Sequence, residues 1–192
     1  VRFDRKAYPL VEIGSQCWFK ENLASGIYRN GDAIPGGLTD SQWISTSFGA
    51  QAVYGDDAVN LWIYGRLYNS IAVTDPRGLC PTGYHVSRDD EWSTLAGHIG
   101  GDYVADALKS SPTDVPAWDG TNSSGFSALP GGFREDWGGG FQLLGSFGGW
   151  WSSSPAGLNA WYRYLYSGSS DLDREYYYDY VRNGFSVRCV RD

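Results

Sequence analysis

Val11–Phe19 reads VEIGSQCWF. Apolar residues alternate through Tyr8, Leu10-Val11 and Ile13, then resume at Cys17-Trp18-Phe19 beyond the pair Gly14-Ser15. A period of two broken by turn residues predicts strand, turn and strand, which makes a β-hairpin. Toward the other end the same grammar returns. From Gly125 the chain is strand and turn, in GFSALPGGFR, FQLLGSFGGWWSSS, WYRYLY, EYYYDYV and GFSVRCVRD.

Between these ends lies a helix signal. Ser87 reads as a cap, Asp90 as its capping-box acid, and Trp92, Leu95, Ala96 and Ile99 as an apolar stripe. Gly100-Gly101 ends it. A second helical piece, Val104 to Leu108, precedes Pro112 and Pro116, and Leu61 to Val73 (LWIYGRLYNSIAV) is compatible with a short helix after Gly65. Residues 26 to 60 are irregular, and a loop that long is functional or wrapped over the core. Two helices framed by N- and C-terminal strands give an α+β class with the termini adjacent in one sheet. No linker is evident, so residues 1–192 are expected to form one domain.

A chain of 192 residues can bury a real core. Its net charge of −7 argues against nucleic acid or an anionic membrane as partner, because nothing could neutralise a run of phosphates. Ordinary solubility explains that charge. No apolar run reaches the roughly 18 residues of a membrane span, so direct membrane insertion is not expected. The start at Val1, with neither Met nor a signal peptide, is expected of a processed or excised product. Three cysteines, Cys17, Cys80 and Cys189, show no CxxC spacing, which weakens zinc or thioredoxin-like chemistry. One disulfide plus a thiol fits an oxidising compartment, and three buried thiols fit a reducing one.

The window Trp161–Tyr180, WYRYLYSGSSDLDREYYYDY, holds seven of the chain's 14 tyrosines among Ser, Asp, Arg and Gly. Those residue types make antibody-like surfaces: Tyr supplies amphipathic contact area at low entropic cost, and Ser and Asp supply adaptable hydrogen bonds. A core would use Leu, Ile, Val and Phe. Strand alternation puts Tyr162, Tyr164 and Tyr166 on one face, with Trp161, Arg163 and Leu165 on the other. One face then packs and the other is displayed, with Trp150 and Trp151 supporting the sheet from below. Strands favour Tyr in any case, so this strand alone decides nothing. The run Tyr176-Tyr177-Tyr178-Asp179-Tyr180 favours display, since consecutive rings cannot all point inward.

Catalytic signals are weak. His85 and His98 are the two histidines, and two do not make a facial iron site without a carboxylate, so each is expected to be structural. The glycines of residues 131–141 and 145–149 match no phosphate loop and suit turns. Asp56-Asp57, Asp89-Asp90 and Asp171/Asp173 offer calcium-type oxygens, but solvated loops and a helix N-terminus explain them better. Asn122-Ser123-Ser124 matches a glycosylation acceptor, uninformative in a bacterial or phage protein. No catalytic residue, cofactor or metal ligand is assigned.

Six phrases stand in order: VEIGSQCWFKENL (11–23), YGRLYN (64–69), CPTGYHVSRDDEWSTL (80–95), GFSALPGGFR (125–134), GGWWSSS (148–154) and GFSVRCVRD (184–192). Together they resemble the Fibrobacter succinogenes major paralogous domain, a bacterial family related to formylglycine-generating-enzyme-like proteins. The resemblance implies a C-type-lectin-like fold: two helices, a hairpin joining the termini, and a loop-rich sheet presenting ligands. It implies a Cys80–Cys189 disulfide with Cys17 left over beside Trp18, a Cys17 pairing being the rival. The Glu-Pro-Asn type of sugar-binding calcium motif is absent.

The C-terminus also resembles variable proteins of diversity-generating retroelements, which end in phrases like GFSVRCVRD preceded by codons mutated at adenines. An AAC codon so altered reaches Tyr, Ser, Asp, Asn and Gly but not Trp, Glu, Lys or Met. The implied variable region spans about residues 159–183. Its implied ligand-binding set is Tyr162, Tyr164, Tyr166, Ser167, Ser169, Ser170, Asp171, Asp173, Tyr176, Tyr177, Tyr178, Asp179 and Tyr180, on a scaffold of Trp161, Arg163, Leu165, Leu172 and Glu175. The expected function is non-enzymatic binding of a protein or other macromolecule on a cell or virus surface. The expected place is extracellular, on a bacterial surface or a virion. The alternatives are an invariant cell-envelope structural or adhesion module, and a diverged formylglycine-generating-like oxidase whose reactive cysteine pair or iron histidines are missing.

Overall fold

Gly14, at φ +61°, makes the left-handed step that turns Leu10–Ile13 back onto Gln16–Phe19, and a Cβ there would lie 3.0 Å from the His98 ring. A computed structural model describes residues 1–156, 159–176 and 181–192. The strands are β1 (Arg2–Phe3), β2 (Lys6–Ala7), β3 (Leu10–Ile13), β4 (Gln16–Phe19), β5 (Gln51–Ala52), β6 (Leu67–Tyr68) and β7 (Tyr84–Val86). After the helices follow β8 (Gly131–Arg134), β9 (Phe141–Leu144), β10 (Phe147–Ala156), β11 (Asn159–Tyr166), β12 (Asp173–Glu175) and β13 (Cys189–Arg191). The helices are α1 (Asp40–Ser45), α2 (Ala58–Tyr64), α3 (Ser70–Val73), α4 (Asp89–Ile99) and α5 (Ala105–Leu108).

The class is α+β. One sheet has the order β3-β4-β13-β7, so the expected hairpin pairs with the C-terminal strand through Val190↔Trp18. The second sheet has the order β12-β11-β10-β8-β9 and carries the Tyr-rich strand. Its β8–β10 contact is parallel and the others are antiparallel. The segment Gly184–Ser186 sews the structure together: backbone bonds run from Gly184 to Arg134, from Phe185 to Tyr68, and from Ser186 to Gly149 and Trp151.

Helices depart from expectation in three ways. The Ser87 N–H stays in the ladder by donating to the Arg188 carbonyl, so α4 starts later, with Arg88 as cap and the Glu91 carboxylate accepting the Arg88 N–H at 2.8 Å. The helix near Gly65 lies before that glycine, as α2; Gly65 ends it at φ +78°, and only the single turn α3 follows. The irregular stretch contains α1, opened by a Thr39/Gln42 capping box. Five helices are therefore found among the described residues where two were expected, and α4 alone exceeds seven residues.

Two apolar clusters flank the sheets. One joins Tyr8, Phe19, Tyr68, Trp151, Tyr162 and Phe185; the other joins Trp18, Trp92, Leu95, Phe126, Trp150 and Leu165. Trp150 and Trp151 thus face opposite ways, and only Trp150 lies behind the tyrosine face. Each indole N–H is bonded, Trp150 to Asn22 Oδ1 at 2.9 Å and Trp151 to the Tyr68 carbonyl at 2.7 Å. Cys80 and Cys189 form a disulfide, and Cys17 is buried and free.

Candidate functional site

Register decides what β11 presents. Tyr166, Tyr164 and Tyr162 stand opposite Phe147, Gly149 and Trp151 of β10, while Tyr162 and Tyr164 stand opposite Glu175 and Asp173 of β12. Side chains opposite one another share a face, so the tyrosines stand beside aromatic rings. Tyr162 and Tyr164 stack at 5.6 Å, Phe147 lies 5.7 Å from Tyr164 and 5.0 Å from Tyr166, and Phe185 lies 4.7 Å from Tyr162. Gly149 leaves room for this: a Cβ there would sit 2.7 Å from Phe147 and 2.9 Å from Phe185.

The expected uniform display is a gradient. Tyr162 is 7% exposed and belongs to the core, Tyr164 is half-buried, and Tyr166 is 39% exposed. Coverage by Phe185 and Trp151 is the cause, since both pack on Tyr162. The three rings line a cleft of about 350 Å³ with Phe133, Phe147, Trp137 and Phe185. Its polar contributors are Glu175, whose Oε2 accepts from the Tyr162 hydroxyl at 2.9 Å, and Asn183, whose Oδ1 accepts from the Asp136 N–H at 3.1 Å. Asn183 is 5% exposed, and its amide nitrogen donates no hydrogen bond among the described residues.

The opposite face of β11 is structural. Leu165 is buried, and buried Arg163 donates to Asp89 at the start of α4 at 2.8 Å. Arg174 of β12 binds the same carboxylate, also at 2.8 Å. Burial opposes ionisation of Asp89, yet the two guanidiniums hold its carboxyl below the usual range; burial pushes Arg163 down. Asp89 is thus committed to an ion-paired clamp. Trp161 lies under the Arg174 guanidinium at 3.5 Å and meets the Tyr176 ring at 4.5 Å.

The other expected site residues divide. Ser167 accepts from the Trp118 indole at 2.8 Å and Ser169 bonds Asp171 at 3.3 Å, while Ser170 is exposed. Asp171 and Asp173 line a separate polar groove of about 600 Å³ beside Arg163, Arg174 and Asp102. The carboxyl of Asp173 is raised by burial, then by Asp171 and Glu175. Tyr176 is 44% exposed. Tyr177, Tyr178, Asp179 and Tyr180 lie outside the described residues.

Sequence reasoning missed Phe133, Trp137, Phe147, Asn183 and Phe185. The glycines of residues 131–141 suit turns, yet Trp137, between Asp136 and Gly138, is 62% exposed and lines the cleft. A large ring in a glycine-rich loop is the signal that could have found it.

His85 and Asp57 have structural partners. His85 holds Glu91 through Nε2 at 2.8 Å and Asp192 through Nδ1 at 2.7 Å, and Glu91 chiefly pulls its pKa upward. Asp57 caps α2 by accepting from the Val59 N–H. Among the described residues no group of three His, Cys, Asp or Glu side chains is arranged to hold a metal ion. No helix among them is long and apolar enough to cross a membrane.

In this sheet one face presents aromatic rings and the other is locked to a helix terminus. Residues 11–191 match the family model of the Fibrobacter succinogenes major domain, and the chain belongs to that family. Comparison with curated proteins finds no match. Comparison with solved structures finds none either.

Proposed function

We propose that this domain is a non-enzymatic recognition module, which binds a protein or other macromolecule through the tyrosine face of β11 and its adjoining cleft. It acts outside the cell, on a bacterial surface or a virion. The observation that carries this function is the cleft itself: half-open rings of Tyr164, Tyr166 and Trp137 stand on a frame whose other face is pinned by Arg163 and Leu165. Rigid aromatic anchors dominate binding energetics. Within this proposal the fold is C-type-lectin-like and akin to formylglycine-generating-enzyme-like proteins. Pairing of β4 with β13 and the Cys80–Cys189 bridge both support that assignment. The segment of about residues 159–183 is a region diversified by a retroelement, and its adenine-reachable Tyr, Ser and Asp positions support this.

Panning a random peptide library on the immobilised domain tests the binding claim. Enriched peptides should lose about tenfold or more in affinity on Tyr166→Ala and Trp137→Ala, two exposed positions whose variants should melt like the parent. Binding indifferent to both variants would move recognition away from the cleft. Diversification has its own test, in the DNA beside the gene. A near-copy of the C-terminal codons with AAC at the Tyr, Ser and Asp positions, beside a reverse-transcriptase gene, is expected; lack of both would sink it.

A further inference from the structure

We propose that the cleft receives a cationic side chain, the ammonium of a lysine or the guanidinium of an arginine, protruding from a polypeptide partner. This rests on the recognition function just proposed and names the group recognised. Four observations converge on it.

The first is size. At about 350 Å³ the cleft sits at the low end of ligand pockets, which run from about 300 to 1,000 Å³. One side chain and its stem suit that volume. The second is the wall. Phe133 lies 5.4 Å from Phe147 and 6.3 Å from Trp137, and Phe147 lies 5.0 Å from Tyr166. A cation is attracted to a ring face within about 6 Å of its centroid, so one seated among these rings reaches several of them.

The third is the polar content. Glu175 supplies a carboxylate that the Tyr162 hydroxyl already orients, and its Oε1 receives no hydrogen bond among the described residues. No lysine or arginine lines the cleft among the described residues. Asp173 stands two residues before Glu175 on β12. The Asn183 amide nitrogen points to a polypeptide, because it offers a donor to a backbone carbonyl beside the inserted side chain.

The fourth is the chain's own habit. Arg77 covers Tyr28 at 4.0 Å, Arg134 covers Trp43 at 4.6 Å, Arg174 covers Trp161 at 3.5 Å and Arg188 covers Phe126 at 4.4 Å. Among the described residues no cation of the chain lies over Phe133, Phe147 or Trp137. Among the described residues these three rings stand beside a carboxylate without a cation of the chain over them, and an external one completes the arrangement.

The test uses the disulfide-intact domain and blocked peptides Gly-Gly-X-Gly-Gly, with X as arginine, lysine, citrulline or norleucine, followed by amide and indole chemical shifts. Arginine and lysine peptides should shift the Trp137 indole and the Tyr166 amide. They should bind about tenfold more tightly than their neutral counterparts. Glu175→Gln keeps an acceptor for Tyr162, so it should melt normally while losing most of that preference. Equal binding of citrulline and arginine peptides would overturn the cationic assignment while leaving recognition intact. So would silence of the cleft signals with every peptide, or a methyl glycoside shifting them more strongly. Failure of the recognition proposal reads differently, as library binders indifferent to Tyr166 and Trp137.

Discussion

Arg188 is fully buried, and among the described residues no carboxylate forms an ion pair with it. Its charge is carried by dipoles instead. Nε donates to Asn22 Oδ1 at 2.8 Å, Nη1 to the carbonyls of Phe19 and Phe126 at 2.9 Å, and Nη2 to the Ser127 carbonyl at 2.8 Å. The plane also lies 4.4 Å from the Phe126 ring, and burial pushes its pKa down to about 9. One planar fork thus ties the C-terminal strand to the N-terminal hairpin and to the loop before β8. Lysine carries one compact ammonium and cannot reach four acceptors in that geometry. Arg188→Lys should therefore strand at least two buried acceptors and cost about 3 kcal/mol, measured as a lowered urea midpoint. A midpoint within error of the parent would deny Arg188 this role. The phrase GFSVRCVRD was visible in the sequence, but the job of its first arginine was not. A charged residue in a strand reads as solvent-facing by default, and its acceptors lie more than sixty residues away.

β11 shows where local pattern stops informing. A period of two correctly separates Tyr162, Tyr164 and Tyr166 from Arg163 and Leu165. Which tyrosine is covered depends on Phe185, brought there by bonds between the C-terminal segment and β6, and no pattern within WYRYLY encodes that. The same reason hid Phe133 and Trp137, which reach the cleft through the β8–β10 pairing. α4 was legible because eleven residues repeat a stripe, whereas α1 and α2 span six and seven and leave too little periodicity. The gradient along β11 has a measurable consequence. Tyr162→Ala removes a ring packed on Phe185 and Trp151 and should cost about 3–5 kcal/mol. Tyr166→Ala should cost less than about 1 kcal/mol, since its ring is largely at the surface. Urea titration of both variants compares them; equal losses would mean that the strand's two ends are equally packed.

The four-stranded sheet depends on one short C-terminal strand. β13 lies between β4 and β7, and the disulfide from Cys189 reaches Cys80 across 109 residues of sequence. That loop holds α4, the cleft strands and the whole Tyr-rich window. Closing a loop of about 100 residues removes enough freedom from the unfolded chain to stabilise the fold by about 4–5 kcal/mol on a chain-entropy basis. Reduction should lower the unfolding free energy by about that amount and move the urea midpoint down in proportion. Cys17, 8% exposed beside Trp18, supplies an internal control. In the oxidised domain it should resist a thiol reagent until the main unfolding transition, and in the reduced domain its labelling should begin at the lower midpoint together with Cys80 and Cys189. Labelling of Cys17 well below either midpoint would show that the β3–β4 hairpin opens without the rest, and that the bridge does not hold the N- and C-terminal strands as one cooperative unit.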